Sequence, residues 1–326
     1  MKLRSEIYYT FGNVAPSTIG RHISTWIWLI CCWCQVVSGQ YLNPPKPGKG
    51  ELLIACHNIK WFGARRPNLS VLASVIQEFD VYNIVEVIKP DLLKELVVVL
   101  NNQIVDSDPW YYINSHRFGT DANTYQEGYG VLWRADRITL GNGPIGTLPD
   151  PLEVYRCDPF VVSLTNRHMD LALVLFHSRW SKDVRGDRET EVRSLGSTID
   201  GLKAEYPKHP IVVMGDFNYS ISHRNMVEFM KSGRLKVVTG GIPTTFQTNG
   251  RGYANDYDHI FTTPASHPLF KKAGVFDVVD WLHPKASELD RLNINRTMSD
   301  HLPIWVLLGS TSVSPTGKVT PTTTPK

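Results

Sequence analysis

Cysteine is scarce in this sequence, and its scarcity limits the kinds of site that the chain can contain. The 326 residues include five cysteines, and three of them, Cys31, Cys32 and Cys34, fall in a short apolar stretch near the N-terminus. Only Cys56 and Cys157 follow that stretch, so no cysteine spacing of the zinc-binding type is available. These two residues are compatible with one disulfide in an oxidising compartment and equally with two buried thiols.

The sequence also lacks a strong charge of either sign. Its formal net charge is +3, with 34 Lys and Arg against 31 Asp and Glu. A mildly basic chain is compatible with an anionic substrate but does not identify one. Hydrophobic residues make up 42% of the chain, which is enough for a sizeable core and excludes disorder for most of its length. We find no internal repeat.

Residues 1–39 have the layout of a secretory signal peptide. Four basic residues precede an apolar run at Ile23–Val37, namely Lys2, Arg4, Arg21 and His22. Small residues, Ser38 and Gly39, follow the run and suit a cleavage site. A membrane anchor is the alternative, because the run is only slightly shorter than a bilayer requires. The segment predicts a secreted, extracellular or periplasmic protein, or a membrane-anchored one if the segment is retained.

Composition divides the rest of the chain into three parts. Residues 40–50 are rich in proline and glycine and are predicted to be a linker. Residues 51–309 contain no internal linker and are predicted to form one catalytic domain. Residues 310–326 consist mainly of Thr, Ser, Pro and Lys without apolar periodicity, which is typical of a disordered tail.

The run Ile211–Met214 is the most informative stretch of the domain. It is short, apolar and β-branched, which predicts a strand buried on both faces, and it ends at Gly215 and Asp216. Other predicted strands also end in polar groups. The set of strand-end residues is Asn58, Glu86, Glu127, His177, Asp216, Asn218, Asp258, Asp300 and His301. Because ligands gather at strand ends in α/β sheets, we expect these side chains to share one cleft.

The order of predicted elements indicates the fold class. Strands are predicted at 52–56, 81–85, 129–133, 160–164, 171–176, 211–214, 255–261 and 302–308, and helices at 69–79, 91–100, 192–202 and 226–231. Several strands follow one another directly, whereas a parallel doubly wound sheet needs a helix after nearly every strand. We therefore predict an α/β protein in which two sheets pack face to face with helices outside, a four-layer sandwich.

The residue types at the strand ends favour hydrolysis of phosphodiesters. Two histidines with a surplus of carboxylates, and no serine or cysteine in a nucleophile motif, argue against acyl transfer. Imidazoles transfer protons near neutral pH, which suits deprotonation of a water and protonation of a leaving oxygen. Carboxylate and amide oxygens favour Mg²⁺, Mn²⁺ or Ca²⁺ over zinc.

Seven short motifs in order resemble the endonuclease/exonuclease/phosphatase superfamily, and within it the secreted deoxyribonuclease I-like branch. They are HNIKWFG, VEV, NTYQEGY, the strand-end FH, GDFN, YDHI and SDH. The resemblance covers residues 52–308. It implies the DNase I-like four-layer sandwich, with mainly antiparallel sheets, and metal-dependent cleavage of nucleic acid.

The resemblance also implies catalytic roles for five residues. His177 would be one catalytic imidazole, oriented by Glu127. His301 would be the other, oriented by Asp258. Asp216 would lie close to the attacking water. Which histidine acts as acid and which as base stays open at this point.

Binding roles are implied in the same way. Glu86 would bind the divalent cation with the help of Asp300. Four residues would contact the substrate: Asn58, Asn218, Tyr125 and Arg156. Lys60 also matches a position that touches nucleic acid, and Arg179, Lys182, Arg185 and Arg188 form a basic stretch that could add phosphate contacts.

Two positions depart from the family pattern. Val85 stands where the family usually has a Gln that supports the metal-binding carboxylate. Ile88 stands where the deoxyribonuclease I branch has an Arg that enters the minor groove, so contact with duplex DNA is less secure than the chemistry.

The predicted function is a secreted, divalent-metal-dependent endonuclease that cleaves DNA with low sequence specificity. We expect Mg²⁺ or Mn²⁺ as cofactor, with Ca²⁺ also compatible, DNA as substrate with RNA still open, a monomer, and no stable membrane association once the leader is removed. One alternative is a phosphodiesterase of the same fold that acts on phospholipids or inositol phosphates. A non-catalytic binding module is another, which the retention of both histidines and the carboxylates disfavours.

Overall fold

The computed structural model describes residues 41–103, 109–116, 126–180, 188–207 and 209–309. The predicted leader, the predicted tail and Tyr125 lie outside the described residues. Twelve strands are described: β1 Glu51–Phe62, β2 Val81–Val87, β3 Trp110–Asn114, β4 Gly128–Arg134, β5 Thr139–Thr147, β6 Phe160–Asn166, β7 Met169–His177, β8 Ile211–Asp216, β9 Lys236–Thr239, β10 Asp258–Thr262, β11 Phe270–Val275 and β12 Ile304–Gly309.

Six α-helices are described: α1 Leu69–Ile76, α2 Asp91–Asn102, α3 Arg188–Glu205, α4 Arg224–Ser232, α5 Val278–Leu282 and α6 Glu288–Thr297. The first four correspond to the four helices that the sequence predicts. At the start of α1, the Asn68 side chain accepts hydrogen bonds from the backbone N–H groups of Ser70 and Val71, which satisfies donors that a helix N-terminus leaves unpaired. Within the described residues, no helix is long and apolar enough to cross a membrane.

The strands form two six-stranded sheets. The first sheet has the order β11-β12-β1-β2-β4-β3, and the second has the order β5-β6-β7-β8-β10-β9. Each sheet contains one parallel pair, β1 with β2 and β7 with β8, and its other neighbours are antiparallel. The predicted fold class, two packed and mainly antiparallel sheets flanked by helices, is confirmed.

Strand β8 illustrates how the layers pack. Its side chains alternate between faces, and all are fully buried. Val212 and Met214 join the core that includes residues of both sheets. Ile211 and Val213 join a second core that contains apolar side chains of α3 and α4. A strand covered on both faces has no polar side, which is why this stretch is an unbroken apolar run.

The four strands that the sequence does not predict are the four edge strands, β3, β5, β9 and β11. Each keeps exposed or half-exposed positions; β5, for example, contains Gly141, Gly143 and Pro144 and has one buried residue. Residues 41–50, the predicted linker, contain no helix or strand beyond an isolated bridge between Tyr41 and Val275.

The two cysteines of the domain are separate thiols. Cys56 and Cys157 are both buried and unpaired. Burial raises the pKa of each thiol well above its ordinary value. Both behave as small apolar side chains of the core.

Candidate active site

Three neighbouring strands of the second sheet bring three of the predicted residues side by side. His177 ends β7 and pairs in register with Asp216, which ends the parallel strand β8. Asp216 pairs in register with Asp258, the first residue of the antiparallel strand β10. Gly215 makes this approach possible, because it has φ +150° and a Cβ at this position would lie 1.8 Å from the Phe176 carbonyl oxygen.

The first sheet supplies the other members of the site. Asn58 lies in β1, Glu86 lies in β2, Glu127 directly precedes β4, and His301 precedes β12. Seven of the nine predicted strand-end residues line one cleft of about 550 Å³, namely Glu86, Glu127, His177, Asp216, Asn218, Asp300 and His301. Asn58 and Asp258 are hydrogen-bonded to members of this group. The predicted convergence of the strand ends is therefore observed.

Each imidazole is held by one carboxylate from the opposite sheet. The Nδ1 atom of His177, in the second sheet, lies 2.6 Å from Oε1 of Glu127, which borders the first. The Nδ1 atom of His301, which borders the first sheet, lies 2.7 Å from Oδ2 of Asp258 in the second. The carboxylates fix the ring orientation and the tautomer, and each Nε2 atom is left directed at the cleft.

Asp216 lies between the two imidazoles. Its Oδ2 atom is 3.8 Å from Nε2 of His177 and 3.7 Å from Nε2 of His301. The Asn58 side-chain amide donates to the same oxygen at 2.9 Å, and the backbone N–H of Asn218 donates to Oδ1 at 2.8 Å. A single carboxylate thus faces both imidazoles, and it is held from both sheets.

Glu86 is placed by a β-bulge. Between the pairs Ile84–Gly130 and Val87–Gly128, strand β2 has one residue more than β4, and Glu86 takes a positive φ of 64°. Such a conformation is strained for a non-glycine residue and marks a functional position. The Asn58 amide donates to Oε1 and the Trp61 backbone N–H donates to Oε2, each at 3.0 Å. Oε1 also lies 3.7 Å from Nε2 of His177.

The donor set fits a hard divalent cation. Two groups of three potential ligands have all their ligand atoms within 4.8 Å of one another, Glu86 with Glu127 and His177, and Asp216 with Asp258 and His301. The Oδ1 atom of Asn58 is buried and lacks a hydrogen-bond partner within the described part of the chain. A buried carbonyl oxygen without a partner, beside two carboxylates, suits an oxygen-binding ion such as Mg²⁺.

The remaining predicted residues are placed differently. Asp300 lines the cleft, and its carboxylate accepts from the Lys60 ammonium at 2.5 Å. Arg156 also lines the cleft, and its backbone N–H donates to Glu191 at 2.7 Å. In the basic stretch, Arg179 is buried and paired with Glu191 at 2.9 Å, so it supports the wall of the cleft. Tyr125 lies outside the described residues.

Comparison with known protein families assigns the chain to one of them. The sequence profile described as "Endonuclease/Exonuclease/phosphatase family" matches residues 55–301. The chain is a member of this family. It is accordingly a hydrolase of phosphoester bonds, and its two-sheet fold is that of an endonuclease/exonuclease/phosphatase protein.

Individual relatives within the family have several activities. The chain is 24% identical to "Deoxyribonuclease-1" of Sus scrofa over 275 residues, which are 79% of this chain and 92% of that protein. It is similar in structure to the mannosyl-6-phosphatase Bt3783 of Bacteroides thetaiotaomicron, with a TM-score of 0.55, 17% identity, and coverage of 79% of this chain and 99% of that one.

A further solved structure in the family contains nucleic acid. D. rerio TDP2, complexed with single-strand DNA product, matches with a TM-score of 0.54 and 15% identity over 80% of this chain and 99% of that chain. At these identities the structural matches establish the fold alone. The substrate of this endonuclease/exonuclease/phosphatase protein must be argued from its own cleft.

Carboxylates control the protonation of both imidazoles. Burial disfavours the charged form, but the carboxylates of Glu127, Glu86 and Asp216 outweigh it and raise the pKa of His177 to about 10. His301 is affected in the same way by burial and by the Asp258 and Asp216 carboxylates, and its pKa also rises to about 10. The surrounding carboxylates therefore favour the imidazolium form of both rings, and one ring must give up its proton before it can act as a base.

The pKa of Asp216 is also raised, but for a carboxyl group this shift favours the neutral form. Burial and the nearby Asp258 carboxylate raise the pKa of Asp216 to about 6, although the two imidazoles and the Asn58 amide oppose the shift. Perturbed carboxyl groups of this kind concentrate at catalytic sites of enzymes. Asp216 is thus a carboxyl group of the cleft whose pKa is raised towards neutral pH.

His57 supports the site from behind and was not singled out by its sequence. It is fully buried, and its Nε2 atom lies 2.9 Å from the His301 carbonyl oxygen, while Nδ1 lies 2.7 Å from the Tyr82 hydroxyl. A carbonyl only accepts, so Nε2 carries the proton and the tyrosine donates to Nδ1. The ring is therefore neutral and helps to fix the backbone that presents His301. The feature of the sequence that could have indicated this role is the position of His57 directly before Asn58 in the first motif.

We expect the free energy of unfolding to decrease as the pH is lowered below 6.5, and we expect part of this decrease to depend on His57. Burial lowers the pKa of His57 to about 4 from an ordinary value of 6.5. Below pH 6.5 the His57 ring binds a proton in the unfolded chain but stays neutral in the folded chain. The folded state is therefore progressively destabilised, relative to its stability above pH 6.5, as the pH falls towards 4. Near pH 4.5 the loss is roughly 2 to 3 kcal/mol.

Urea unfolding of the wild type and of His57→Gln at pH 7 and pH 4.5 measures this effect. Glutamine can still donate to the His301 carbonyl but does not titrate in this range. The wild type should therefore lose more unfolding free energy than the variant between the two pH values. Equal losses in the two proteins would contradict the assignment of a neutral, buried His57.

Proposed function

We propose that this protein is a divalent-metal-dependent endonuclease that hydrolyses DNA phosphodiester bonds with low sequence specificity. The observation that carries the proposal is the approach of two carboxylate-bound imidazoles, through their Nε2 atoms, to the same carboxylate of Asp216. Hydrolysis of a phosphodiester needs one group that takes a proton from water and one that gives a proton to the leaving oxygen. Two imidazoles that face one point in a cleft can divide these tasks.

In the proposed mechanism the two imidazoles act on opposite sides of the scissile phosphate. One ring, in its neutral form, accepts a proton from the attacking water at Nε2. The other ring, in its imidazolium form, donates a proton from Nε2 to the departing sugar oxygen as the bond between that oxygen and phosphorus breaks. Glu127 and Asp258 hold the rings and stabilise the imidazolium form of each. Asp216, between the rings, orients the attacking water.

Amides hold the phosphate in this scheme. The side-chain amide of Asn218 lies beside His177 and has one N–H group beyond the one donated to the Ser178 carbonyl, which can donate to a non-bridging oxygen. Asn58 donates its two N–H groups to Glu86 and Asp216, so it would exchange one of these bonds for a phosphate oxygen. Arg156 lines the same cleft and adds positive charge. A divalent cation held by Glu86, with Asp300 and the Asn58 carbonyl oxygen nearby as further candidates, would neutralise negative charge that develops on the phosphate.

The N-terminal segment supports a site of action outside the cytoplasm. Its basic start, apolar middle and small residues before Gln40 are typical of an export signal. We therefore propose that the enzyme is secreted. N-terminal sequencing of exported protein should give Gln40 as the first residue, whereas a retained Met1 in the membrane fraction would indicate an anchor.

A substrate panel tests the proposed activity. Purified protein beginning at Gln40 is incubated with supercoiled plasmid in Mg²⁺, with and without a chelator, and parallel samples contain RNA, sphingomyelin and an inositol polyphosphate. We expect nicking of the plasmid that the chelator abolishes. Release of phosphocholine or inorganic phosphate with intact plasmid would replace the proposal by the phospholipid or inositol-phosphate alternative. Binding of DNA without turnover in Mg²⁺, Mn²⁺ or Ca²⁺ would indicate a binding module.

A further inference from the structure

Two exposed tryptophans lie at the catalytic cleft. Trp61 is 43% exposed and Trp180 is 62% exposed, and both line the cleft that contains His177 and His301. Within the described residues, Trp110, Trp133 and Trp305 are buried, and Trp281 is partly buried against the core. A large apolar ring left in water forgoes the stabilisation of burial, so two such rings beside one site call for a ligand.

Trp61 is fixed beside the metal-binding carboxylate. Its backbone N–H donates to Oε2 of Glu86 at 3.0 Å, and its carbonyl accepts from the N–H groups of Ala64 and Arg65 at 2.9 and 2.8 Å. The residue takes a positive φ of 54°, which is uncommon for a bulky side chain. The backbone is therefore held in a strained conformation that places the indole at the mouth of the cleft.

Trp180 is fixed beside the other carboxylate–imidazole pair. Its ring makes an edge contact with Tyr257, with ring centroids 5.7 Å apart and an interplanar angle of 62°. Tyr257 also lines the cleft and directly precedes Asp258, the residue that holds His301. A T-shaped contact covers at most one face of the indole, so the other face is not covered by Tyr257.

The two rings are anchored to different parts of the cleft wall, although Trp180 also follows His177 by three residues in the chain. Trp61 is tied to Glu86, which lies 3.7 Å from His177, and Trp180 contacts the neighbour of Asp258, which binds His301. In the mechanism above, the two imidazoles act on opposite sides of the scissile phosphate. Both indoles line the cleft that would hold the scissile phosphate, and the Lys60 ammonium lies 5.6 Å from the centroid of the Trp61 ring.

We infer that Trp61 and Trp180 stack on unpaired bases that flank the scissile phosphate, and that the enzyme prefers single-stranded nucleic acid to duplex. The inference rests on the proposed nuclease function. Bases in a duplex present only their edges in the grooves, whereas bases of a single strand can present a face to an aromatic ring. Stacking of this kind tolerates any base, which agrees with low sequence specificity.

The test compares single-stranded and duplex oligonucleotides of the same sequence. The wild type should cleave the single strand with a kcat/KM at least about tenfold higher. Trp180→Ala and Trp61→Ala should each lower the single-strand value by roughly 5- to 100-fold, mainly through KM, since stacking on one base contributes about 1 to 3 kcal/mol. The ratio of single-strand to duplex activity should fall in both variants, and Trp→Phe at each position should restore most of it.

Tyr111→Ala is the matched control, because Tyr111 is an aromatic residue, 52% exposed, on the edge strand β3 and is not among the residues that line the cleft. It should leave the ratio unchanged. Anisotropy of labelled oligo(dT) on His301→Ala, with and without Trp180→Ala, reports stacking without turnover, and circular dichroism reports folding of each variant.

The outcomes separate this inference from the nuclease proposal. Cleavage of single strand and duplex at equal rates, with a ratio that the tryptophan variants do not change, would overturn the inference and leave the nuclease intact. Absence of cleavage of every nucleic acid would overturn the nuclease proposal itself. Release of phosphocholine instead would assign the two aromatic rings to a quaternary ammonium headgroup and overturn both.

Discussion

Replacement of His177 by alanine is expected to lower kcat for DNA cleavage by about 10³-fold while leaving the fold intact. The Nε2 atom of this ring faces Asp216 and Glu86 in the cleft, and loss of a positioned acid or base typically lowers the rate 10²- to 10⁴-fold. His301→Ala is expected to have a similar effect, because its ring is held in the same way. Plasmid nicking followed over time measures both.

A histidine elsewhere on the surface provides the control. His209 is half-buried, its Nε2 atom lies 3.6 Å from Oδ2 of Asp170, and it does not line the cleft. His209→Ala should retain activity within about twofold, as expected for a surface substitution away from the site. Unchanged nicking by His177→Ala, in a protein with wild-type circular dichroism, would remove the proposed mechanism.

Glu86→Gln is expected to weaken metal binding and activity together. Loss of a residue that merely supports a metal ligand costs roughly 10- to 100-fold, so removal of the charge of the ligand itself should raise the Mg²⁺ concentration for half-maximal activity by at least about 100-fold. Glutamine keeps the shape, but its single amide oxygen can accept only one of the two hydrogen bonds that Asn58 and Trp61 donate to Oε1 and Oε2 of Glu86. Calorimetric titration with Mn²⁺ measures binding without turnover.

Glu95→Gln is the matched control for charge. Glu95 is exposed in α2 and pairs with Arg66 at 2.5 Å, outside the cleft. Its substitution should change neither Mn²⁺ affinity nor activity. Equal Mn²⁺ affinity in the wild type and in Glu86→Gln would show that the cation binds elsewhere, and the group of Asp216, Asp258 and His301 would be the next to test.

The interior of the fold could be predicted from sequence because its strands are buried on both faces. Such strands, β7 and β8 above all, are continuous apolar runs and need no further signal. The edge strands could not be recognised in this way, because one side meets solvent and their composition resembles that of loops. In β11, Lys271 and Lys272 are exposed on a strand that nevertheless pairs along β12.

The candidate site was predictable for a related reason. A carboxylate or imidazole at the end of a buried strand is out of place unless other polar groups meet it there, and Asp216 and His177 are both of this kind. His57 had no such signal, because a histidine inside an apolar strand resembles a core residue. Trp61 and Trp180 were also missed, since exposure of a tryptophan depends on the loops around it and not on local sequence.

Each carboxylate–imidazole pair joins the two sheets, and this has a consequence for how the enzyme loses activity. A shift of one sheet relative to the other by a fraction of an ångström would lengthen both hydrogen bonds together, at His177 and at His301. A shortened side chain between the layers, such as Met214→Ala, should therefore impair turnover at temperatures at which the protein is still folded. Activity therefore depends on the relative position of the two sheets. On heating, the enzyme should lose activity at a lower temperature than the one at which its secondary structure melts.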